Sequence, residues 1–313
     1  MTHVTPVLTS RQLNELSRAQ VFVKCENFQR VGAFKIRGAY NAIASLPPDR
    51  RHRPIVTLSS GNHAQGVALA CRLLGLEAHI VMPLPVNPLK RDAVVGYGAT
   101  VHEAAGRQEA DHLLEEVLAR HDGIYIHAFN DPKVIAGQGT AMLELLGAVP
   151  DLEVILAPIG GGGLLSGLCV AAHGLNPAIQ LYACEPSGAL DALFSVRENR
   201  IVPMPSPRTI AEGLQTSLGD LTLPILRHRL AGFFVVEEQE IVQAMRFAFE
   251  RLKIVIEPSS AVALAPLLGR EAALAGKRVG VIITGGNVDL SAFLQSLAPE
   301  EATTRTSASA GQS

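Results

Sequence analysis

A chain of 313 residues, 48% of them hydrophobic, can bury a substantial core, and its length favours two domains over one. Only 18% of the residues are charged and the formal net charge is −2, so nothing marks a nucleic-acid or acidic-membrane partner. Small molecules and copies of the chain itself are the expected partners.

Short apolar runs rich in β-branched residues alternate with longer helical patterns. Strands are expected at 21–26 (VFVKCE), 55–59 (IVTLS), 78–83 (AHIVMP), 154–159 (VILAPI), 181–186 (LYACEP), 233–238 (FFVVEE) and 278–284 (RVGVIIT). Helix-like stretches such as HAQGVALACRLLG and EIVQAMRFAFERLK lie between them. The alternation predicts an α/β fold with parallel strands and helices on both faces. Cys25, Cys71, Cys169 and Cys184 are scattered in apolar runs without C-x-x-C spacing, which predicts reduced, buried thiols in place of a zinc site or redox pair. No N-terminal signal or membrane-length apolar run is visible, so a cytoplasmic enzyme is expected. The small, polar residues 299–313 are expected to be disordered.

Ligands in such folds collect at the carboxyl ends of strands. The loops expected there are SSGNH after Leu58, GGGG after Ile159 and TGGN after Ile283. Gly160, Gly161, Gly162 and Gly163 offer bare backbone N–H groups at a helix N-terminus, a ready phosphate site, although a tight turn alone would also account for them. A dinucleotide site is a second possibility: Gly161, Gly163 and Ser166 nearly fit G-x-G-x-x-G, and Glu185 lies where a ribose-binding acid would. It leaves the other loops unexplained. Ser59, Ser60, Asn62 and His63 could hold a substrate carboxylate; alternatively Ser60 or Asn62 caps the helix and His63 merely packs. One lysine stands out. Lys35 lies between Phe34 and Ile36, with Gly32 and Gly38 close by, an odd setting for a surface cation. A lysine amine, an anion cradle and polar contacts for a ring are the parts that pyridoxal phosphate needs.

On these residues the chain resembles the serine/threonine dehydratase and serine racemase family of fold-type-II pyridoxal phosphate enzymes. TPVLTS, KCENFQRVGAFKIRGAYNA, SSGNHAQGVALA, VIAGQGT, GGGGLLSG, ACEPS, TIAEG, EPSSAVALA and TGGNVDL match in family order, from Thr5 to about Leu297. The resemblance implies two open, mostly parallel twisted sheets with flanking helices. It implies a large cofactor-binding domain from 1–52 and 131–298, and a small mobile domain from 53–130 that closes over the substrate carboxylate. Lys35 then falls on the Schiff-base lysine and α-proton base, and apolar neighbours would lower its pKa. Phe34 would pack near the ring, Asn62 would bond its phenolic oxygen, and the four glycines would bind the phosphate. Thr284 would face the pyridine nitrogen. A hydroxyl there makes a weaker electron sink than a carboxylate would, favouring prompt loss of a β-substituent. Glu257 matches a family glutamate near the ring, though it could equally cap the following helix.

The resemblance also carries a divalent cation, Mg2+ or Ca2+, onto Glu185, the carbonyl of Ala189 and Asp191. Without it, the two acids read as ordinary surface groups. A homodimer is implied too. The family's cysteine synthase and tryptophan synthase β relatives carry a threonine in the glycine loop and often K-D-R at the lysine, unlike the plain glycines and Lys35-Ile36-Arg37 here. Elimination or racemisation is therefore expected. The reading is an ammonia-lyase for L-threonine or L-serine, with serine racemisation or 3-hydroxyaspartate deamination as alternatives. Ser60 is where racemases place their second acid/base, and Arg107 is a candidate partner for a second substrate carboxylate. Relatives usually carry an extra helix before TPVLTS, which leaves the dimer surface open. Feedback inhibition by isoleucine is not expected, since no large regulatory domain follows.

Overall fold

The computed structural model describes residues 2–86, 88–269 and 271–297, and the segment 299–313 lies outside them. Ten strands form among the described residues: β1 (Val7–Leu8), β2 (Gln20–Cys25), β3 (Ile55–Leu58), β4 (Ala78–Pro83), β5 (Thr100–Ala104), β6 (Ile124–Tyr125), β7 (Val154–Pro158), β8 (Gln180–Pro186), β9 (Leu230–Val236) and β10 (Arg278–Ile283). They make a six-stranded sheet, β1-β2-β10-β7-β8-β9, and a four-stranded sheet, β5-β4-β3-β6. Every pairing is parallel except β1 with β2. This is the expected class: α/β, with two open, mostly parallel sheets and flanking helices.

Parallel sheets are covered on both faces, so their strands are near-continuous apolar runs. All of β3 and all of β7 are buried. On one face of the larger sheet Val21, Val23, Val279, Val281 and Ile283 pack with the helices Glu238–Phe247 and Pro258–Leu268. On the other, Ile155, Ala157, Leu181, Ala183 and Ile282 meet Pro132–Ala148 and Gly163–Leu175. Each fully buried Val, Leu or Ile contributes about 1.5–3 kcal/mol relative to exposure. β1, β5 and β6 break the expected pattern because two are only two residues long and β5 (TVHEA) is a polar, partly exposed edge strand. β9, another edge strand, starts at Leu230, three residues before the expected 233. The cysteines Cys25, Cys71, Cys169 and Cys184 are buried and free, as expected. Among the described residues no helix is long and apolar enough to cross a membrane.

The pairing of β2 with β10 joins the two ends of the chain and sets the Lys35 lead-in beside the TGGN loop. The helix Lys35–Ala44 packs against both Asn62–Leu74 and Pro132–Ala148. Its Ile36, Ala39 and Ile43 share one apolar cluster with Ile55, Val67 and Ile80 of the four-stranded sheet region.

A buried ionic network anchors the same helix. Arg37, 2% exposed, donates to Glu26 through Nε (2.7 Å) and Nη2 (2.8 Å), and to Glu144 through Nη1 and Nη2 (both 2.7 Å). Lys24 donates to Glu144 (2.6 Å) and to the carbonyl of Thr5 (2.8 Å), while Thr5 Oγ1 donates to Glu26 (2.5 Å). Two cations thus balance two carboxylates. Arg37→Ala leaves Glu26 buried without its cation and is expected to cost about 3–5 kcal/mol, read as a lower urea midpoint of unfolding.

Candidate active site

Lys35 opens its helix after a tight lead-in. Val31 has φ 60° and Gly32 φ 65°, two successive left-handed residues. A β-branched residue in that region costs on the order of 1–3 kcal/mol and persists only when its surroundings hold it. The TGGN loop does so: Asn287 Nδ2 donates to Val31 O (2.6 Å), Gly286 N to Gly32 O (2.9 Å), and Phe34 N to Thr284 O (2.9 Å). A Cβ on Gly32 would lie 2.4 Å from Asn287 Oδ1, so only glycine fits. Gly38 serves a different contact. Its missing side chain lets Gln138 and Val134 of Pro132–Ala148 approach, so it tightens helix packing and does not face the cleft.

Lys35 Nζ donates to Ala128 O (3.1 Å) and sits 5.2 Å from the Phe34 ring centroid. Burial lowers the amine's pKa to about 8, against an opposing pull from Glu257. The side chain is therefore close to neutral in mildly alkaline solution, as its apolar neighbours predict.

Around it the expected loops converge. Asn62 begins the helix Asn62–Leu74, whose N-cap residue is Gly61, so neither Ser60 nor Asn62 takes the capping role considered from sequence. Asn62 Nδ2 instead donates to both oxygens of Glu257 (2.9 and 3.0 Å), and Asn62 Oδ1 accepts from Asn287 Nδ2 (2.9 Å). Glu257 is 6% exposed; burial raises its pKa, partly offset by the Asn62 bond. It stands at the N-cap position of Pro258–Leu268 without a side-chain capping bond, which removes the capping alternative. Thr284 Oγ1 lies 2.8 Å from Ser260 Oγ, and Ser260 also accepts from Gly285 N and donates to Gly285 O. Ser59 Oγ accepts from Gly61 N (3.2 Å), and the adjacent Ser60 is half-buried. His63 is 2% exposed with Nε2 3.2 Å from Ile126 O, and burial together with the Lys35 charge lowers its pKa to about 3. Its ring is neutral and enclosed, packed against the backbone at Ile126.

The four glycines follow β7 and lead into Gly163–Leu175, with Gly162 at φ 84° as N-cap residue. A Cβ on Gly161 would fall 2.4 Å from the Phe129 ring, and one on Gly163 2.7 Å from Phe129 Cβ. Phe129 follows Ala128, the residue that holds Lys35, so the segment 126–130 joins the amine to the glycine loop. Ser166, in the first turns of that helix, has a buried hydroxyl without a hydrogen-bond partner among the described residues. The donor set fits a phosphorylated carbonyl cofactor: bare N–H groups at one end, and a depressed lysine amine at the other.

The carboxylates Glu185 and Asp191 lie next to this loop, since Ile159 N donates to Cys184 O. They are not surface acids; they are 1% and 3% exposed, and Ala189 is fully buried. Glu185 accepts from Ala192 N (2.8 Å) and Leu193 N (3.0 Å), while Asp191 Oδ2 has no partner among the described residues. Burial pushes their pKa values up to about 8 and about 6. Two buried carboxylates with a spare oxygen fit a hard cation. At 1% exposure Glu185 leaves no room for a group as large as a ribose, so the dinucleotide alternative loses its acid.

Residues 2–285 match the family model described as "Pyridoxal-phosphate dependent enzyme". The chain belongs to that family. Pyridoxal phosphate is accordingly its cofactor, and the architecture is that of the fold-type-II enzymes. The chain is 45% identical to a serine racemase of Dictyostelium discoideum, covering 93% of this chain and 91% of that one. It is 42% identical to an L-threo-3-hydroxyaspartate ammonia-lyase of Saccharomyces cerevisiae, covering 95% and 92%. The solved threonine deaminase of T.th. superposes with a TM-score of 0.87 at 40% identity, covering 92% and 94%. The serine/threonine dehydratase and serine racemase resemblance drawn from the motifs is therefore the correct placement.

Some site features carried no signal in the sequence. Ser260 and Asn287 lie inside matched motifs, but only the structure gives them partners. The segment 126–130 has neither glycines nor an anion-site pattern. Lys90, on Pro88–Gly96, is ion-paired with Glu212 of the TIAEG motif, linking the four-stranded part to the loop beside the glycines. Arg107 lies at the edge, exposed and paired with Asp111 (3.2 Å). Its charge still reaches His127, whose pKa is lowered first by burial and then by Lys35 and Arg107.

Proposed function

We propose that this chain is a pyridoxal-phosphate dependent ammonia-lyase that converts L-threonine or L-serine to a 2-oxo acid and ammonia by β-elimination. The observation that carries the reading is the hydroxyl pair Thr284–Ser260 at the end of β10, where a carboxylate would hold a ring nitrogen protonated. The cofactor, when bound, supplies an electrophilic carbon and an electron sink. Lys35 anchors it and takes the α-proton. The N–H groups of Gly160, Gly161, Gly162 and Gly163 hold the phosphate, Phe34 packs on the ring, and Asn62 bonds its phenolic oxygen, with Glu257 behind Asn62. Ser59, Ser60, Asn62 and the first-turn N–H groups of Asn62–Leu74 take the substrate carboxylate. The unit 53–130 closes over 1–52 and 131–298, excluding water. A homodimer in the cytoplasm completes the proposal.

Two further activities are supported by particular residues. Ser60, half-buried at the carboxylate loop, supports racemisation of serine. The activity named for the yeast relative supports 3-hydroxyaspartate, with Arg107, exposed and paired with Asp111, as the candidate for its second carboxylate. The deciding experiment incubates the enzyme with L- and D-serine, L-threonine and the 3-hydroxyaspartate isomers, scoring 2-oxo acid, ammonia and chirality. Threonine or serine should give the fastest oxo-acid release; release from neither of them rejects the reading.

We further propose that Glu185, the Ala189 carbonyl and Asp191 bind Mg2+ or Ca2+ in a structural role. A cation at about 100 times its Kd stabilises by about 2.7 kcal/mol. Millimolar Mg2+ or Ca2+ is thus expected to raise the Tm by about 4 °C over EDTA. Asp191→Asn should abolish the difference, and an equal response in that variant would place the ion elsewhere.

A further inference from the structure

A group of histidines lies away from the candidate active site, on the four-stranded sheet. β4 and β5 pair with His79 opposite Thr100 and Val81 opposite His102, so His79 and His102 are diagonal neighbours on one face. The helix Arg107–His121 covers that face, and its last residue, His121, lays its ring over His79 with centroids 4.0 Å apart. His79 is 3% exposed, whereas His102 and His121 are half-buried.

The hydrogen bonds fix the protons. Glu77 Oε1 lies 2.9 Å from His79 Nε2, and a carboxylate accepts, so Nε2 carries the hydrogen. The Nδ1 of a neutral His79 is then a bare lone pair, and it lies 2.9 Å from His102 Nε2. Burial, the neighbouring imidazoles and Arg120 disfavour a proton on either ring beyond this. His102 Nε2–H therefore donates to the bare His79 Nδ1, so two neutral rings face each other across one hydrogen bond, and His79 is oriented from behind by a carboxylate. That is the arrangement by which proteins prepare a histidine for a metal. Two imidazole nitrogens on one ion at about 2.0–2.1 Å are themselves about 2.9–3.4 Å apart, so the spacing already fits, and turning both lone pairs from the hydrogen bond to a shared ion completes the pair.

We propose that His79 Nδ1 and His102 Nε2 bind a borderline divalent transition-metal ion, Zn2+ or Ni2+, with Glu77 orienting His79 and His121 supplying a third nitrogen after a ring rotation. Among the described residues no three such side chains already surround one point, so the site is completed by that rotation and by water. Binding moves the His102 hydrogen from Nε2 to Nδ1, and no net proton is lost from the neutral pair. Nitrogen donors select against Mg2+ and Ca2+, which separates this site from the carboxylates Glu185 and Asp191.

The test is calorimetric titration of the cofactor-loaded full chain with Ni2+ or Zn2+, in excess Mg2+ to satisfy oxygen-ligand sites. One saturable site per chain with micromolar Kd is expected. His102→Gln should weaken it at least tenfold and His121→Gln at least threefold, with circular dichroism and oxo-acid production unchanged. Half-buried His102 is the informative position because enclosed His79 risks misfolding. Absence of saturable binding, or wild-type affinity in either variant, overturns the assignment.

Discussion

Lys35→Ala is expected to abolish turnover and the visible absorbance of bound cofactor together, in a protein that remains folded. The substitution removes the residue proposed as both covalent anchor and base, and a positioned base alone is worth about 10²–10⁴-fold. The pH dependence is more specific still. A lysine with the ordinary pKa is almost wholly charged at neutral pH, whereas burial brings Lys35 to about 8. Its neutral, nucleophilic fraction therefore falls about tenfold per unit below pH 8 and saturates above it. Cofactor uptake by the cofactor-free protein should follow that curve, with a midpoint near 8. Glu257 favours the charged amine, so Glu257→Gln should move the midpoint lower.

The same shift has a stability consequence of definite sign. The folded pKa lies below the unfolded value, so folding disfavours the charged amine. The penalty is complete below about pH 8 and is relieved as pH rises from there toward the unfolded value. Lys35→Ala removes the penalty, and its Tm at pH 7 should be no lower than that of the wild type. A midpoint for uptake near 10, or cofactor absorbance persisting in the alanine variant, would falsify the assignment of Lys35.

These outcomes rest on features legible in the sequence to different depths. The central parallel strands announce themselves because burial on both faces makes them apolar throughout, as in β3 and β7. The edges do not: β5 is partly exposed and reads as polar, and β1 and β6 are too short to show a period. Lys35, the glycine run and TGGN were legible because each breaks the surrounding pattern. What the sequence could not give is pairing between distant segments. Glu257 looks like a helix cap until Asn62 is seen to claim both its oxygens. Glu185 and Asp191 look like surface acids until their burial is known. Arg37 is one more cation in KIRG, and only the fold brings Glu26 and Glu144 around it. Such networks depend on side chains far apart in sequence, and no local periodicity encodes them.

Ser60→Ala is the second variant with a large expected effect, and it separates activities that share Lys35. Elimination from an L-substrate needs proton removal on one face alone, the role proposed for Lys35. Racemisation also needs a proton delivered to the opposite face, the role proposed for the Ser60 hydroxyl. Loss of a positioned acid/base costs about 10²–10⁴-fold, so conversion of L- to D-serine should fall at least a hundredfold in the variant. Oxo-acid formation from L-threonine or L-serine should stay within about tenfold, because on the proposed reading Ser59, Asn62 and the N–H groups of the first turn would still meet the carboxylate. Chiral chromatography of serine alongside oxo-acid release reads both rates from one incubation. Equal loss of the two activities would assign Ser60 to carboxylate binding alone. Undiminished racemisation would place the second proton donor on another residue.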